Sequence, residues 1–249
     1  MIGVFPVSRR MQITAVTSPA AATLCTADIV LTPGRAAYLP ASATLLVADL
    51  HLGKEATFRH KGIPVPDGSA TKDLARLTML VAETQARRLL ILGDLFHARS
   101  GCTEEVFARF ATTRTGFSGT EVLLVAGNHD RSIGRLPVGI GIDSVLRTHD
   151  EPPFHFVHEP GTPLSEPHRE EPFTVAGHLH PTLAIRSPSG DRIAGRCFVA
   201  EPGFLVLPAF GSFTGGHRIR PTPRMQLWIA RDDGVADVTR LAELAARSR

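Results

Sequence analysis

Five short segments concentrate carboxylate, imidazole and amide side chains. They are Asp49-Leu-His51, Gly93-Asp94-Leu-Phe-His97, Gly127-Asn128-His129-Asp130, His158, and Gly177-His178-Leu-His180. Six of the eleven histidines lie in them. Side chains two residues apart, as in Asp49/His51 and His178/His180, project to the same side of an extended backbone, so each pair can grip one ion. Oxygen and imidazole donors without thiolate suit Mn2+, Fe or Zn2+ better than Ca2+. Seven such groups are too many for one tetrahedral ion and natural for two ions that share a carboxylate. Two ions ~3.5–4 Å apart clamp the attacking and leaving oxygens of an in-line phosphoryl displacement, with water as the nucleophile.

These segments need rigid elements behind them. Three continuous apolar runs, 44–48, 89–92 and 122–126, read as buried strands, and each stops at a candidate ligand: Asp49, Gly93-Asp94 and Gly127-Asn128. Glycines 93, 127 and 177 let the backbone turn sharply where strands end. Between the runs, Leu74, Leu77 and Val81 fall at helical spacing over 71–86. Thr103 can cap a second helix, with Glu104 and Glu105 in its first turn and Val106, Phe107 and Phe110 facing inward. A β-α-β-α-β order with apolar strands predicts a largely parallel sheet covered on both faces, with its site at the strands' carboxyl ends. Ahead of it, 29–31 and 36–39 read as a strand pair around Pro33-Gly34. Further strands are expected at 154–157, 173–176, 183–186, 192–199, 204–207 and 226–230, with turns at Ser189-Gly190 and Asp233-Gly234 and a surface loop over 159–172. Residues 1–26 read as an irregular amino-terminal extension and 27–249 as one domain.

Composition narrows the function classes. The 249 residues are 43% hydrophobic and 20% charged, and no run reaches the ~18–20 apolar residues of a membrane span. Cys25, Cys102 and Cys197 are too few and too scattered for a disulfide scaffold or a thiolate zinc site. Arg9-Arg10 precedes a stretch broken by Gln12, Thr14, Thr17 and Ser18, a poor export signal, so a cytoplasmic protein is expected. A net charge of +3 and a pI near 9.1 permit a polyanionic partner without demanding one.

Taken in order, D-x-H, G-D-x-x-H, G-N-H-D, H and G-H-x-H resemble the calcineurin-like binuclear metallophosphoesterases. Three longer segments are similar to the bacterial DNA-ligase-associated branch of that superfamily: Val47-Ala-Asp-Leu-His-Leu-Gly-Lys54, Leu92-Gly-Asp-Leu-Phe-His97 and Leu205-Val-Leu-Pro-Ala-Phe-Gly-Ser-Phe-Thr-Gly-Gly216. The third contains no metal-type side chain, so the shared metal chemistry does not force it. The resemblance implies a four-layer α-β-β-α sandwich of two mixed sheets with a dimetal site at strand carboxyl ends. It implies two divalent ions, Mn2+ first with Fe or Zn as alternatives, held by Asp49, His51 and His180 on one side and Asn128, His158 and His178 on the other, with Asp94 bridging. His129 would protonate the leaving oxygen and Asp130 would orient His129. It further implies single-strand DNA endonuclease activity in DNA repair, with single-stranded DNA as partner and association with a ligase or helicase.

Several assignments stay open. His97 can contact phosphate or leaving group, or hydrogen-bond behind the ligands. His155 competes with His158, although the strand end before Glu159-Pro160 favours His158. Lys54, Arg99, Arg59-His-Lys61 and His217-Arg-Ile-Arg220 can track phosphates or be solvated surface, and Phe210 and Phe213 can stack on bases or be buried. Arg87-Arg88 is expected to close a helix against its macrodipole. Competing functions are a phosphoesterase for small-molecule or phosphoprotein monoesters, and a repair-complex scaffold with a vestigial metal site.

Overall fold

A computed structural model describes residues 28–66, 68–161, 172–186, 190, 192–231 and 234–247. The expected extension at 1–26, most of the 159–172 loop, Ser189 and Asp233 lie outside the described residues.

Six strands form the first sheet in sequence order: β1 (Val30–Leu31), β2 (Ala37–Leu39), β3 (Thr44–Val47), β4 (Arg88–Ile91), β5 (Glu121–Val125) and β6 (Ser144–Leu146). The first three pair antiparallel, while β3 through β6 run parallel. Its helices are α1 (Lys54–His60) and α2 (Ser69–Thr84) between β3 and β4, α3 (Glu104–Thr115) after β4, and α4 (Asn128–Ile133) after β5. The second sheet contains β7 (His149–Glu151), β8 (Phe154–Phe156), β9 (Phe173–Ala176), β10 (Pro181–Arg186), β11 (Arg192–Glu201), β12 (Phe204–Val206), β13 (His217–Arg218), β14 (Gln226–Arg231) and β15 (Gly234–Asp237). It is mixed, ordered β13-β10-β11-β12-β9-β8-β7, with β14 joining β11 to β15. Helix α5 (Thr239–Arg247) closes the described chain.

Alternate residues of single strands feed different cores, which creates the layers. Leu45, Val47, Leu89, Ile91, Val122 and Leu124 pack against Leu74, Leu77 and Val81 of α2 and Phe110 of α3. Their neighbours Leu46, Leu90, Leu92, Leu123 and Val125 face the second sheet's Val175, Phe198, Leu205 and Trp228. On that sheet's outer face, Leu183, Cys197, Val199 and Ile229 pack against Ala242 of α5. The result is the expected α-β-β-α order, and strands buried on both faces account for the unbroken apolar runs. One expectation is corrected. Arg88 ends no helix; it lies in β4, where its guanidinium bonds to Glu121 at 2.9 Å and to Glu151.

Candidate metal centre

The centre is built where β3, β4, β5, β8 and β9 run out. The first two loops are laced together: the Asp49 amide donates to the Gly93 carbonyl at 3.0 Å and the His51 amide to the Asp94 carbonyl at 2.9 Å. The Asp49 carboxylate accepts from the His178 amide at 2.9 Å, and the Asp94 carboxylate from the His129 amide at 3.0 Å. Thus four segments distant in sequence are fixed through the carboxylates themselves.

The expectation that Asp49/His51 and His178/His180 converge along extended chain is corrected. Asp49 (φ 57°), His51 (51°), Asp94 (50°), His178 (68°) and His180 (46°) all occupy the left-handed region. Non-glycine residues there are uncommon, and a run of them marks a backbone held against its preference by surrounding bonds. Glycine is needed for a second reason, close approach. A Cβ on Gly93, itself at φ 80°, would lie 2.1 Å from His158 Nδ1, and one on Gly127 would lie 2.2 Å from Asp94 Oδ1.

Two groups of side chains meet at Asp94. Donor atoms of Asp49, His51, Asp94 and His180 lie within 4.8 Å of one another, as do those of Asp94, His158 and His178. Within the first, His180 Nε2 is 3.3 Å from both Asp49 Oδ1 and His51 Nε2. In the second, His158 Nε2 lies 3.4 Å from Asp94 Oδ1, 3.1 Å from Asn128 Oδ1 and 3.1 Å from His178 Nδ1. His158 Nδ1 donates to the Leu92 carbonyl at 2.9 Å, which turns Nε2 toward the group. His155 does not join it, facing Asp150 across the β7–β8 pair instead.

This donor set fits divalent cations. Asp49 Oδ1 is buried and has no hydrogen-bond partner, and imidazole nitrogens crowd around it and Asp94 in facing pairs, 3.3 Å apart for His51 and His180 and 3.1 Å for His158 and His178. Burial lowers the His51 pKa to about 2, against the pull of Asp94 and with help from His180, His129 and His97, so its ring is neutral. Burial pushes the His158 value down, but its hydrogen bond to and the charge of Asp94 dominate and raise it. Burial opposes ionisation of Asp94 too, yet the bond to His158 and that ring's charge hold the carboxyl below its ordinary value. A proton on His158 therefore stands where a cation can replace it.

His97 and His129 stack at 5.0 Å with their planes 22° apart. His97 Nδ1 is 3.3 Å from His51 Nδ1, behind the candidate ligand, and burial followed by the Lys54 charge lowers the His97 pKa to about 4. His129 Nδ1 donates to the His97 backbone carbonyl, and its Nε2 faces the centre, 3.9 Å from Asp94 Oδ2. The expected orienting role of Asp130 is corrected here. Its carboxylate accepts from the amides of Gly127 (3.0 Å), Phe96 (3.1 Å) and Leu95 (3.4 Å), locking the β4 loop to the β5 loop, while a main-chain oxygen orients His129. No side-chain pattern could reveal that oxygen.

The Gly-rich segment also finds a physical role. The Phe210 and Gly211 amides donate to the Ala48 and Asp49 carbonyls at 2.8 and 3.1 Å, so the segment underlies the first ligand loop. Arg196 holds it by donating to the carbonyls of Ala209, Gly211, Ser212 and Thr214 at 2.7–2.9 Å. Asp73 accepts from Ser212, and Arg76 lies 4.2 Å over the fully buried Phe210 ring. Arg196, Asp73 and Arg76 were not among the residues expected from sequence, for each lies far from any motif. Phe213 is half-buried, and Arg99, His60, Lys61, His217, Arg218 and Arg220 are exposed.

Proton linkage gives a prediction for protein stripped of metal by chelator. The unfolded chain protonates His51 and His97 near pH 6.5, whereas the folded chain refuses those protons until about 2 and about 4. The unfolded state then binds more protons, so stability falls as pH drops below about 6.5. His158 opposes this, its contribution being lost as pH rises through its raised value. Two rings outweigh one. Thermal melts should move down by a few degrees from pH 7 to 5, and His97→Gln should flatten the dependence.

Residues 43–203 match the family model described as calcineurin-like phosphoesterase, a span that includes all five segments. Among solved structures, the Pseudomonas putida nuclease MPE has a TM-score of 0.69 and 35% identity, covering 84% of this chain and 94% of that one. The phosphoesterase Yfce from E. coli is 14% identical with a TM-score of 0.37, covering 77% of this chain and 95% of its own. Comparison with curated protein sequences yields no match. No helix among the described residues is long and apolar enough to cross a membrane.

Proposed function

The chain belongs to the calcineurin-like phosphoesterase family and hydrolyses phosphoester bonds, and from that premise we propose that it is a Mn2+-dependent DNA phosphodiesterase that cuts single strands internally. The observation that supports a nucleic-acid substrate is the 35% identity to the Pseudomonas putida nuclease across 84% of the chain, and the choice of DNA rests on the resemblance of the three longer segments. The segment ending at Gly216 adds to it, since it underlies the first ligand loop while none of its side chains is a candidate ligand. Association with a ligase or helicase in repair is a further proposal, resting on the resemblance of that segment.

In this reading Asp49, His51 and His180 would hold one ion and Asn128, His158 and His178 the other, with Asp94 available to both. Bound metal supplies Lewis acidity to the phosphoryl oxygens and an activated water. Asp49 and Asp94 also fasten the His178 and His129 loops, so the carboxylates that neutralise the ions set the position of the acid. His129, its Nδ1 proton committed to the His97 carbonyl, delivers the proton on Nε2 to the leaving oxygen. His97 supports the ring of His51 from behind. The gathered donor set gives no support to a scaffold with a vestigial site.

The test is cleavage of an internally labelled linear single-stranded DNA with Mn2+. Internal cuts that chelator abolishes are expected. Intact DNA alongside brisk phosphomonoester hydrolysis would overturn the reading in favour of a small-molecule or phosphoprotein substrate.

A further inference from the structure

Helix α1 begins directly beside the centre, the Lys54 amide donating to the His51 carbonyl at 3.2 Å. Lys54, Phe58 and Lys61 follow at i, i+4 and i+7, which puts all three on one face. Phe58 is half-buried, and its ring meets Phe213 edge-on at 5.6 Å. Phe213 comes two residues after Gly211, which is bonded to the Asp49 carbonyl, and the same segment reaches the His180 carbonyl through the His217 amide at 2.9 Å. The aromatic pair is therefore tethered to the ligand loops from both partners' backbones. Phe58 lies between Lys54 and Lys61 along the helix, and the charges of both lysines are felt at His97. Leu179, between His178 and His180, is 44% exposed and adds apolar surface beside the ligand loop.

Core packing does not require this arrangement. Fully buried aromatic rings such as Phe96, Phe110, Phe156, Phe198 and Phe210 fill the interior, whereas Phe58 and Phe213 keep part of their surface in water. Lys54, Phe58 and Lys61 spaced along one helix face, with Phe213 packed on Phe58, match the alternation of phosphate and base in a single strand. The rise from Lys54 to Lys61 is about 10 Å along the helix, leaving room for a base between the two phosphate contacts. A duplex hides its base faces in the stack and cannot use the rings.

We propose that Lys54, Phe58, Lys61 and Phe213 form a track for single-stranded DNA leading away from the metal centre, the phenyl pair stacking one base and the lysines holding its flanking phosphates. The proposal rests on the DNA reading above and assigns residues to its strand preference.

The experiment uses the full chain loaded with Mn2+ and carrying His129→Ala, so that the strand is held without being cut. Binding of a fluorescein-labelled oligothymidylate is read by anisotropy across salt concentrations. Phe58→Leu and Phe213→Leu should each weaken binding about tenfold, the scale of one lost stacked base. Lys61→Gln, at an exposed position, should reduce the salt slope by ~0.7, the value of one single-strand phosphate contact. Thermal melts identify any leucine variant that fails to fold, in which case the Lys61 slope decides. If the parent binds and all folded variants keep its affinity and slope, the track is wrong and the DNA reading stands. A parent that binds no oligonucleotide sinks the DNA reading and the track with it.

Discussion

Asp94→Ala is expected to lower kcat by at least ~10³-fold and to release bound metal, because one side chain serves both halves of the centre. Its carboxylate lies 3.4 Å from His158 Nε2 and 3.7 Å from His51 Nε2, and it also takes the His129 amide. Removal strikes both donor groups and the bond that holds the His129 amide at once, so losses should exceed those at any single imidazole. Elemental analysis after gel filtration checks the metal content, and single-turnover kinetics check the chemical step. Asp130→Asn is the informative contrast. Asp130 is equally buried but bonds only to the amides of Gly127, Phe96 and Leu95. Burial raises its pKa against those amides, so the carboxylate already sits uneasily there. The asparagine variant should keep its metal and melt at a lower temperature, as expected for weakening a lock between loops. Equal metal loss in both variants would mean that Asp94 acts through loop structure alone.

The sequence made the identity of the side chains at the centre legible, though much less of their geometry. Apolar runs ending at Asp49, Asp94 and Asn128 could be read because strands buried on both faces leave unbroken hydrophobic stretches. The left-handed turns at Asp49, His51, Asp94, His178 and His180 could not, since they are imposed by contacts between distant loops and have no local signature. Helices α1 and α4, of 7 and 6 residues, are too short for a periodic pattern to declare itself. Strands β6, β7, β13 and β15 are equally short and lack an apolar run. Asp130 shows a further limit. Adjacency to His129 suggested an orienting carboxylate, but Asp130 turns instead to the amide of Gly127, which caps α4, and to those of Leu95 and Phe96 in the β4 loop. Arg196 is the complementary case, a residue with no motif around it that organises four carbonyls of the segment behind the site.

His129→Ala should cost ~10²–10⁴ in kcat on a DNA phosphodiester while leaving metal content as it was. Metal should stay because the ring belongs to neither of the two groups that share Asp94, its Nε2 lying 3.9 Å from Asp94 Oδ2, and the third group, which it forms with His51 and His97, contains no carboxylate. Two roles fit that position. A proton donor to the leaving oxygen matters in proportion to the basicity of that oxygen, and a phosphate-binding cation matters for every substrate alike. Bis(p-nitrophenyl) phosphate separates them, for its nitrophenolate departs without a proton. An acid at His129 predicts a large loss on DNA and a small one on the nitrophenyl diester. Equal losses on both would assign the ring to phosphate binding and leave the donor to be sought elsewhere, with His97, stacked on it at 5.0 Å, the first residue to replace. His97 starts at a disadvantage in that role, since its pKa of about 4 leaves little imidazolium at neutral pH. The leaving-group comparison thus decides the role of His129 with a single variant.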